Sequence, residues 1–390
     1  MRWRILALLF LARIGTGLQF QTLGSVGDDL IVAFGLDYAA IGLLIGLFMA
    51  PGLFLALPAG FLGIYTSDRV LAVSGLLALS MGGFISGFSD TSWSVGLGRM
   101  VAGAGFLLIN LYFTKMVADW FVGREIATAM SILVTSWPIG IAMGQIGHAW
   151  LAQSFGWTGP FLAASAYCFV AAVCVFLIYR APGDEQPAAS ASAMVLSRKE
   201  WRLIVLAGCA WGVYNAGYVV YLSFAPKILE AQGYSTLAAA GTISVASWLM
   251  IVSFALCGYI ADRFDRRNTI LAICMAFAVF SLFLLGVPGA GLSSSVLFGL
   301  VGFAPAGVIM ALAGEAMRPD QRAFGMGVFF TIYFAIMMAA PPVAGFVLDA
   351  TGNGFGPIYF GMILFAAVVP AALAFRWLKS LNAGPTIKEA

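Results

Sequence analysis

The stretch GYIADRFDRRN, residues 258–268, closes one long apolar run, turns on two acids and three arginines, and opens the next apolar run. Charges packed between two greasy segments mark a short loop at the edge of a hydrophobic medium. The composition around it agrees. Apolar residues make up 62% of the chain and charged residues 9%, and the mean hydropathy is +0.97, far from the balance of a water-soluble domain. A helix needs about 20 residues to cross the hydrocarbon. Runs of that order lie near 5–27, 38–64, 70–88, 92–116, 126–150, 158–180, 201–226, 235–262, 267–287, 292–314, 322–346 and 355–377. The expected fold is an all-α integral membrane protein of twelve transmembrane helices.

Arg2 and Arg4 before ILALLFLA imitate a secretory signal. No small-x-small cleavage site follows before Arg13, and the apolar pattern continues to about Val26, so the reading is a retained first helix. Between the sixth and seventh runs, APGDEQPAASASAMVLSRKE (181–200) is a long polar segment rich in Pro, Ala and Ser. It reads as a flexible linker between an N-terminal six-helix half, 1–180, and a C-terminal half, 201–390.

Of the 20 Lys and Arg residues, Arg13 and Arg99 lie inside runs and Lys227 stands alone on one side, while the rest gather at the other ends and loops. Positive residues mark the inside, so both termini and the linker are expected to be cytoplasmic, in a multi-pass protein of the cell membrane. Asp28, Asp29, Asp37, Asp90, Glu230 and Asp349 fall in the outer loops. A net charge of +3 with scattered basic residues excludes a nucleic-acid footprint. The five cysteines sit inside apolar runs without paired spacing, which suggests neither disulfides nor a metal site. One histidine and no mid-span carboxylate argue against a membrane enzyme. No cofactor is expected, and the partners are a small-molecule solute and the lipid bilayer, with the protein acting as a monomer.

The halves repeat. A shift of 198 lays Gly60 on Gly258, Arg69 on Arg267 and Arg124 on Arg322. An even helix count per half makes these parallel repeats about an axis along the membrane normal, which is transporter architecture.

GYIADRFDRRN resembles the loop signature of the major facilitator superfamily, and the helix count, the six-plus-six repeat and the central linker extend that resemblance over the whole chain. It implies the major facilitator fold, with solute moved by alternating access. Gly258 would allow close helix approach, and Asp262 with Arg263, Arg266 and Arg267 would hold helix ends in one of two arrangements. The first-half counterpart GFLGIYTSDR (60–69) departs from the signature, because Ile64 stands where Asp262 stands. GRMVAGAGFLL (98–108) resembles the fourth-helix motif, with Arg99 about 9 Å below Trp93 and small residues admitting a neighbour. Pro138 and the pair Gly140/Gly144 break and thin the fifth helix. Stretches 35–63 and 118–142 are similar to the branch of cyanate, nitroimidazole and nitrate/nitrite porters, which implies a small, anionic or polar solute.

Arg13 lies about 12 Å into the core, near the midplane. An arginine there costs about 2.5–3.5 kcal/mol on insertion scales, so it should face a polar cavity or an anion. In the superfamily the first, fourth, seventh and tenth helices line the path, which would bring Arg13 and Arg99 to one cavity. The alternative is that Arg13 bonds carbonyls of a neighbouring broken helix. Tyr214, Tyr218 and Tyr221 share one helix face, with Asn215 beside them. That face suits either a polar solute or a packed aromatic seam. Gln19, Trp137, Trp248 and Tyr333 are further mid-span candidates; Gln19 and Gln21 are about 200° apart and cannot both face the path. His148 and Glu315 are the candidates for coupling. A drug exporter of the same fold and a non-transporting solute sensor are the competing functions. The topology is checked by a cysteine at Ser190 in a cysteine-free background: it should resist impermeant thiol reagents added to intact cells, and labelling from outside would end the assignment.

Overall fold

The computed structural model describes residues 1–59, 62–121, 125–182, 196–264, 266–318 and 321–381, without the side chains of 57, 63, 64, 126, 127, 262, 322 and 323. The helices are α1 (Arg2–Ser25), α2 (Gly27–Phe34), α3 (Tyr38–Leu47), α4 (Ala50–Ala59), α5 (Leu62–Tyr65), α6 (Asp68–Gly87), α7 (Ser92–Phe121), α8 (Ile126–Phe155) and α9 (Thr158–Ile178), then α10 (Arg198–Ala231), α11 (Thr236–Phe264), α12 (Arg267–Leu284), α13 (Gly291–Leu297), α14 (Ala306–Glu315), α15 (Arg322–Thr351) and α16 (Gly356–Ser380). Twelve spans long and apolar enough to cross a bilayer result, the second running through α3 and α4 and the tenth through α13 and α14. A π-helical turn, Phe298–Gly302, interrupts that tenth span. The expected linker falls mostly on residues 183–195, outside the described set, as does Gly60 of the first-half signature.

Pairings inside one half recur in the other. α1 packs on α8 as α10 packs on α15, and α6 on α9 as α12 on α16. Two broad surfaces join the halves, α3 and α4 against α15, and α8 against α11, with a smaller contact between α1 and α10.

The α3–α15 crossing is antiparallel and close. A Cβ on Gly345 would lie 2.0 Å from the Tyr38 carbonyl oxygen, one on Gly42 2.2 Å from that of Pro341, and one on Gly46 2.3 Å from that of Met338. No side chain fits between these backbones, so dispersion contact is made over the whole seam. Further along, at the start of α4, the Phe334 ring covers Gly52.

Polar contacts finish the seal. The Asp349 carboxylate accepts from the Tyr38 and Ala39 N–H groups at 3.1 and 2.7 Å. Lys227 pairs with Asp28 and lies 4.5 Å from the Tyr38 ring centroid, while the Tyr38 hydroxyl donates to Asp28 at 3.2 Å. At the opposite, linker-bearing end, ion pairs among the described residues stay within one half: Arg2–Glu125 and Lys115–Asp68 in the first, Arg318–Glu200 and the Glu315 cluster in the second. The two halves are closed at one end by contacts that have no counterpart at the other among these residues. Gly345→Val should hold the closed end apart. A cysteine at the buried Ile45 should then react faster with a methanethiosulfonate reagent than in the parent protein; an unchanged rate would refute the seam as the seal.

Candidate functional site

α1 and α8 run side by side because glycines remove the side chains between them. A Cβ on Gly140 would sit 2.3 Å from the Ile14 carbonyl oxygen, and one on Gly17 2.6 Å from that of Trp137. One turn away, this approach brings Arg13 to α8. Its Nη1 donates to the Leu133 carbonyl at 2.8 Å and to Ser136 Oγ at 3.4 Å, and its Nη2 donates to Asn110 Oδ1 of α7 at 2.6 Å. Ser136 gives its own proton to Leu133 at 2.6 Å, so its lone pairs are what Arg13 meets. The Nε–H of Arg13 finds no acceptor among the described residues. Arg13 therefore takes a carbonyl of the Pro138-containing helix and still keeps donor capacity.

A group of rings surrounds Trp137, the residue after Ser136 on α8. Trp137 is 5.0 Å from Phe106 and 5.3 Å from Phe20, and Phe48 is 5.3 Å from Phe106. Phe48 and Gly52 are one turn apart in the second span, and Gly52 meets Phe334 of the other half. There Tyr333 packs 5.0 Å from Phe334 and 6.4 Å from Trp211. Each half thus contributes its own cluster of aromatic rings.

A model of the Major Facilitator Superfamily matches residues 9–341. The chain belongs to the major facilitator superfamily. It is a solute transporter and not an enzyme, and it shares that status with its relatives. The cis,cis-muconate transport protein of Acinetobacter baylyi is 22% identical, the match covering 95% of this chain and 94% of the relative. The gallate transporter of Pseudomonas putida is 26% identical over 100% and 90%, and the 4-hydroxybenzoate transporter PcaK of Pseudomonas aeruginosa 24% over 96% and 91%. Among solved structures, a bacterial homolog of the human lysosomal transporter Spinster, in an inward-facing and occupied conformation, aligns with a TM-score of 0.76 at 16% identity over 97% of both chains. A mutant of the nucleoside transporter NupG aligns at 0.73 and 15% identity, covering 95% of this chain and 99% of that one.

Within that superfamily frame, several expected site residues turn out to be structural. Arg99 is not a partner of Arg13. It is fully buried, with Nη1 donating to the Gln19 carbonyl at 2.7 Å and Thr22 Oγ1 at 3.3 Å, Nη2 to the Phe20 carbonyl at 3.3 Å and Nε to the Leu44 carbonyl at 3.4 Å. Its guanidinium also lies 4.5 Å from the Phe48 ring centroid. These acceptors begin six residues beyond Arg13 on α1, about 9 Å along the axis, and they tie α1, α3 and α7 together. Gln19 points to the opposite side, donating to the Leu79 carbonyl and Ser165 Oγ, both at 3.1 Å.

The tyrosine face of α10 is the packed seam, not a solute face. Tyr214 donates to the Phe303 carbonyl at 2.7 Å and stacks on that ring at 4.1 Å. This carbonyl lies at the break between the π-helical turn and α14, where a helical donor is missing. Tyr218 bonds Ser247 at 2.8 Å and Tyr221 bonds Ser295 at 3.0 Å. Asn215, half-buried, returns its amide N–H to the Trp211 carbonyl at 2.8 Å. Trp248 falls on a stripe with Val252, Leu256 and Tyr259, all exposed and all apolar or aromatic. That stripe is opposite the buried side of α11.

Among the described residues, the hydrogen bonds and ion pairs seen for the signature loop lie within the second half. A Cβ on Gly258 would meet nothing within 4 Å among the described residues, which corrects the expected close approach. Arg263 donates to Tyr259 of its own helix at 3.3 Å, Arg266 is exposed, and Arg267 pairs with Glu315 at 3.3 Å. The side chains of Asp262 and Ile64 lie outside the described set. Glu315 is held by Arg267, Arg376 and Lys379, the last at 2.6 Å, and is an ion-cluster residue at the linker-bearing end.

Two features escaped the sequence reading. Asn110, a mid-span amide, orients Arg13. Near the sealed end a chamber of about 160 Å³ is lined by Gln21, Gln145, Asp28, Asp29, Lys227 and Glu230, among others. Gln145 is buried with both amide atoms unpartnered among the described residues, and His148 Nδ1, one turn on, is unpartnered too. Burial and then the neighbouring Asp28 charge raise the Asp29 carboxyl above the usual range. Polar groups without protein partners in a space of this size call for ordered water. Because Arg99 donates to three carbonyls and the Thr22 hydroxyl across α1 and α3, Arg99→Gln should lose most of these bonds and destabilise the fold by about 2 kcal/mol or more. Melting of monodisperse protein measures this; an unchanged Tm would contradict the tie between α1, α3 and α7.

Proposed function

We propose that the protein carries a small organic carboxylate with a conjugated or aromatic body, one that binds at Arg13. The observation that supports this most directly is the Arg13 guanidinium at mid-span, still holding an unpartnered N–H while Asn110 and Ser136 fix its plane. Guanidinium donors match a carboxylate edge, and charge-assisted bonds of this kind are among the strong ones. Trp137, Phe106 and Phe20 in the first half, and Trp211 and Tyr333 in the second, would offer flat apolar surface to the rest of the solute. The relatives named for muconate, gallate and 4-hydroxybenzoate move molecules of this chemistry.

Charge orientation places the sealed end outside and the linker-bearing end in the cytoplasm. The conformation is then inward-facing, in a monomer of the cytoplasmic membrane with both termini inside. The solute would enter the parted end, reach Arg13 at the limit of the seam, and be exposed to the other side when α3 leaves α15 and α8 leaves α11. Chemistry needs no bond to break; the work is differential binding and a change in which surfaces meet.

Tryptophan fluorescence of the purified protein should report binding of 4-hydroxybenzoate, gallate or cis,cis-muconate through Trp137. Arg13→Lys keeps the charge but loses the fork, and Kd should rise about tenfold. Arg13→Gln should weaken binding about 10- to 150-fold, the equivalent of a charge-assisted hydrogen bond of about 1.5–3 kcal/mol. A folded Arg13→Gln protein that binds these acids normally would overturn the assignment. Stabilisation by amphiphilic cations in place of the acids would favour a drug exporter.

A further inference from the structure

Every transporter of this architecture must break its seal once per cycle, and the contacts that exist in one arrangement alone decide how the two populations divide. At the closed end one such contact is a helix cap divided between the halves. α3 begins at Tyr38, and its first N–H groups have no acceptor inside the helix. Asp37, the residue before it, accepts from Ala40 N at 2.7 Å through its side chain and from Ile41 N at 3.2 Å through its carbonyl. The Tyr38 and Ala39 N–H groups are taken instead by Asp349, more than 300 residues on, from the last turn of α15 in the other half. One carboxylate contributes both acceptors, and the helix N-terminus is where a negative charge is favoured.

We infer that Asp349 is the positioning residue that selects the sealed state: its charge completes the α3 cap only while the halves touch. Asp37 caps the same helix in both states and carries no preference between them. The Lys227–Asp28 pair lies beside it, over Tyr38, but joins two side chains that can each turn to water. Asp349 is different because parting leaves two backbone donors to be satisfied anew. The glycine seam below supplies fit, and the shared cap supplies the bias.

The test is a distance measurement on solute-free protein, so it stands apart from the assignment of the Arg13 site. Spin labels go on Val32 and Ala231, both exposed near the closed end on opposite halves, after replacement of the five native cysteines. The parent protein should show a short-distance population. Asp349→Asn, which keeps the shape and an acceptor but loses the charge, and Asp349→Ala should each lower the sealed-to-open ratio about three- to tenfold. Asp37→Ala should lower the melting temperature and leave the distance distribution as it was. Two folded Asp349 variants with the parent distribution, a parent without the short population, or an Asp37→Ala shift as large as that of Asp349→Ala would overturn the inference.

Discussion

A guanidinium inside hydrocarbon has to find its acceptors in the protein, and the first half is built around two of them. Arg99 takes the carbonyls of Gln19, Phe20 and Leu44 and the hydroxyl of Thr22, so a buried charge becomes a brace between three helices. Such a group is costly to bury and costlier to leave unpaired, which makes its neighbours hard to move. Arg13 lies at the next level along α1 with fewer acceptors and a free Nε–H. The same residue type on adjacent helices thus braces three helices in one place and, in the other, keeps an Nε–H without a partner among the described residues.

Alternation then depends on where the halves touch without side chains. The backbones of α3 and α15 approach so closely at Gly42, Gly46 and Gly345 that the contact is sensitive to a single methyl group. Within each half the pairings are the same by symmetry, which keeps six helices together while the surfaces between halves change. Aromatic packing around Tyr214, Phe303 and Phe365, with ring centroids 4.1 to 6.3 Å apart, gives the second half its firmness.

Much of the fold was legible because a bilayer imposes simple rules: run length sets the spans, and basic residues sort by side. The site was less legible because a span has several faces and hydrophobicity does not say which one meets a cavity. The spacing of Tyr214, Tyr218 and Tyr221 correctly put three phenols on one face, yet each hydroxyl ends on a groove of the same half. Trp248 sits at the depth expected of a site residue, on the exposed side of its helix. Asn110 was visible as a lone amide in the fourth span, and only the approach of α1 and α8 to α7 gives it a partner. Gly258 was read as a close-packing glycine, although no described neighbour comes within 4 Å of a Cβ placed on it. Asp349 could not be read at all as a cap, since what it binds is the backbone of a helix from the other half.

The two mouths of the protein also differ in sign. Around the chamber at the closed end three carboxylates, Asp28, Asp29 and Glu230, outnumber the one ammonium of Lys227, while the other end presents Arg266, Arg267, Arg376 and Lys379 around Glu315. Electrostatic fields of this kind act on the rate at which an ion arrives, and salt attenuates them over a Debye length of about 8 Å at physiological ionic strength. For an anionic solute, arrival through the basic mouth is accelerated and arrival through the acidic mouth retarded, with added salt drawing the two association rates together. The equilibrium distribution across the membrane is untouched by this. What changes is its kinetics: a carrier whose two entrances, given equal concentrations outside and in, do not load equally fast.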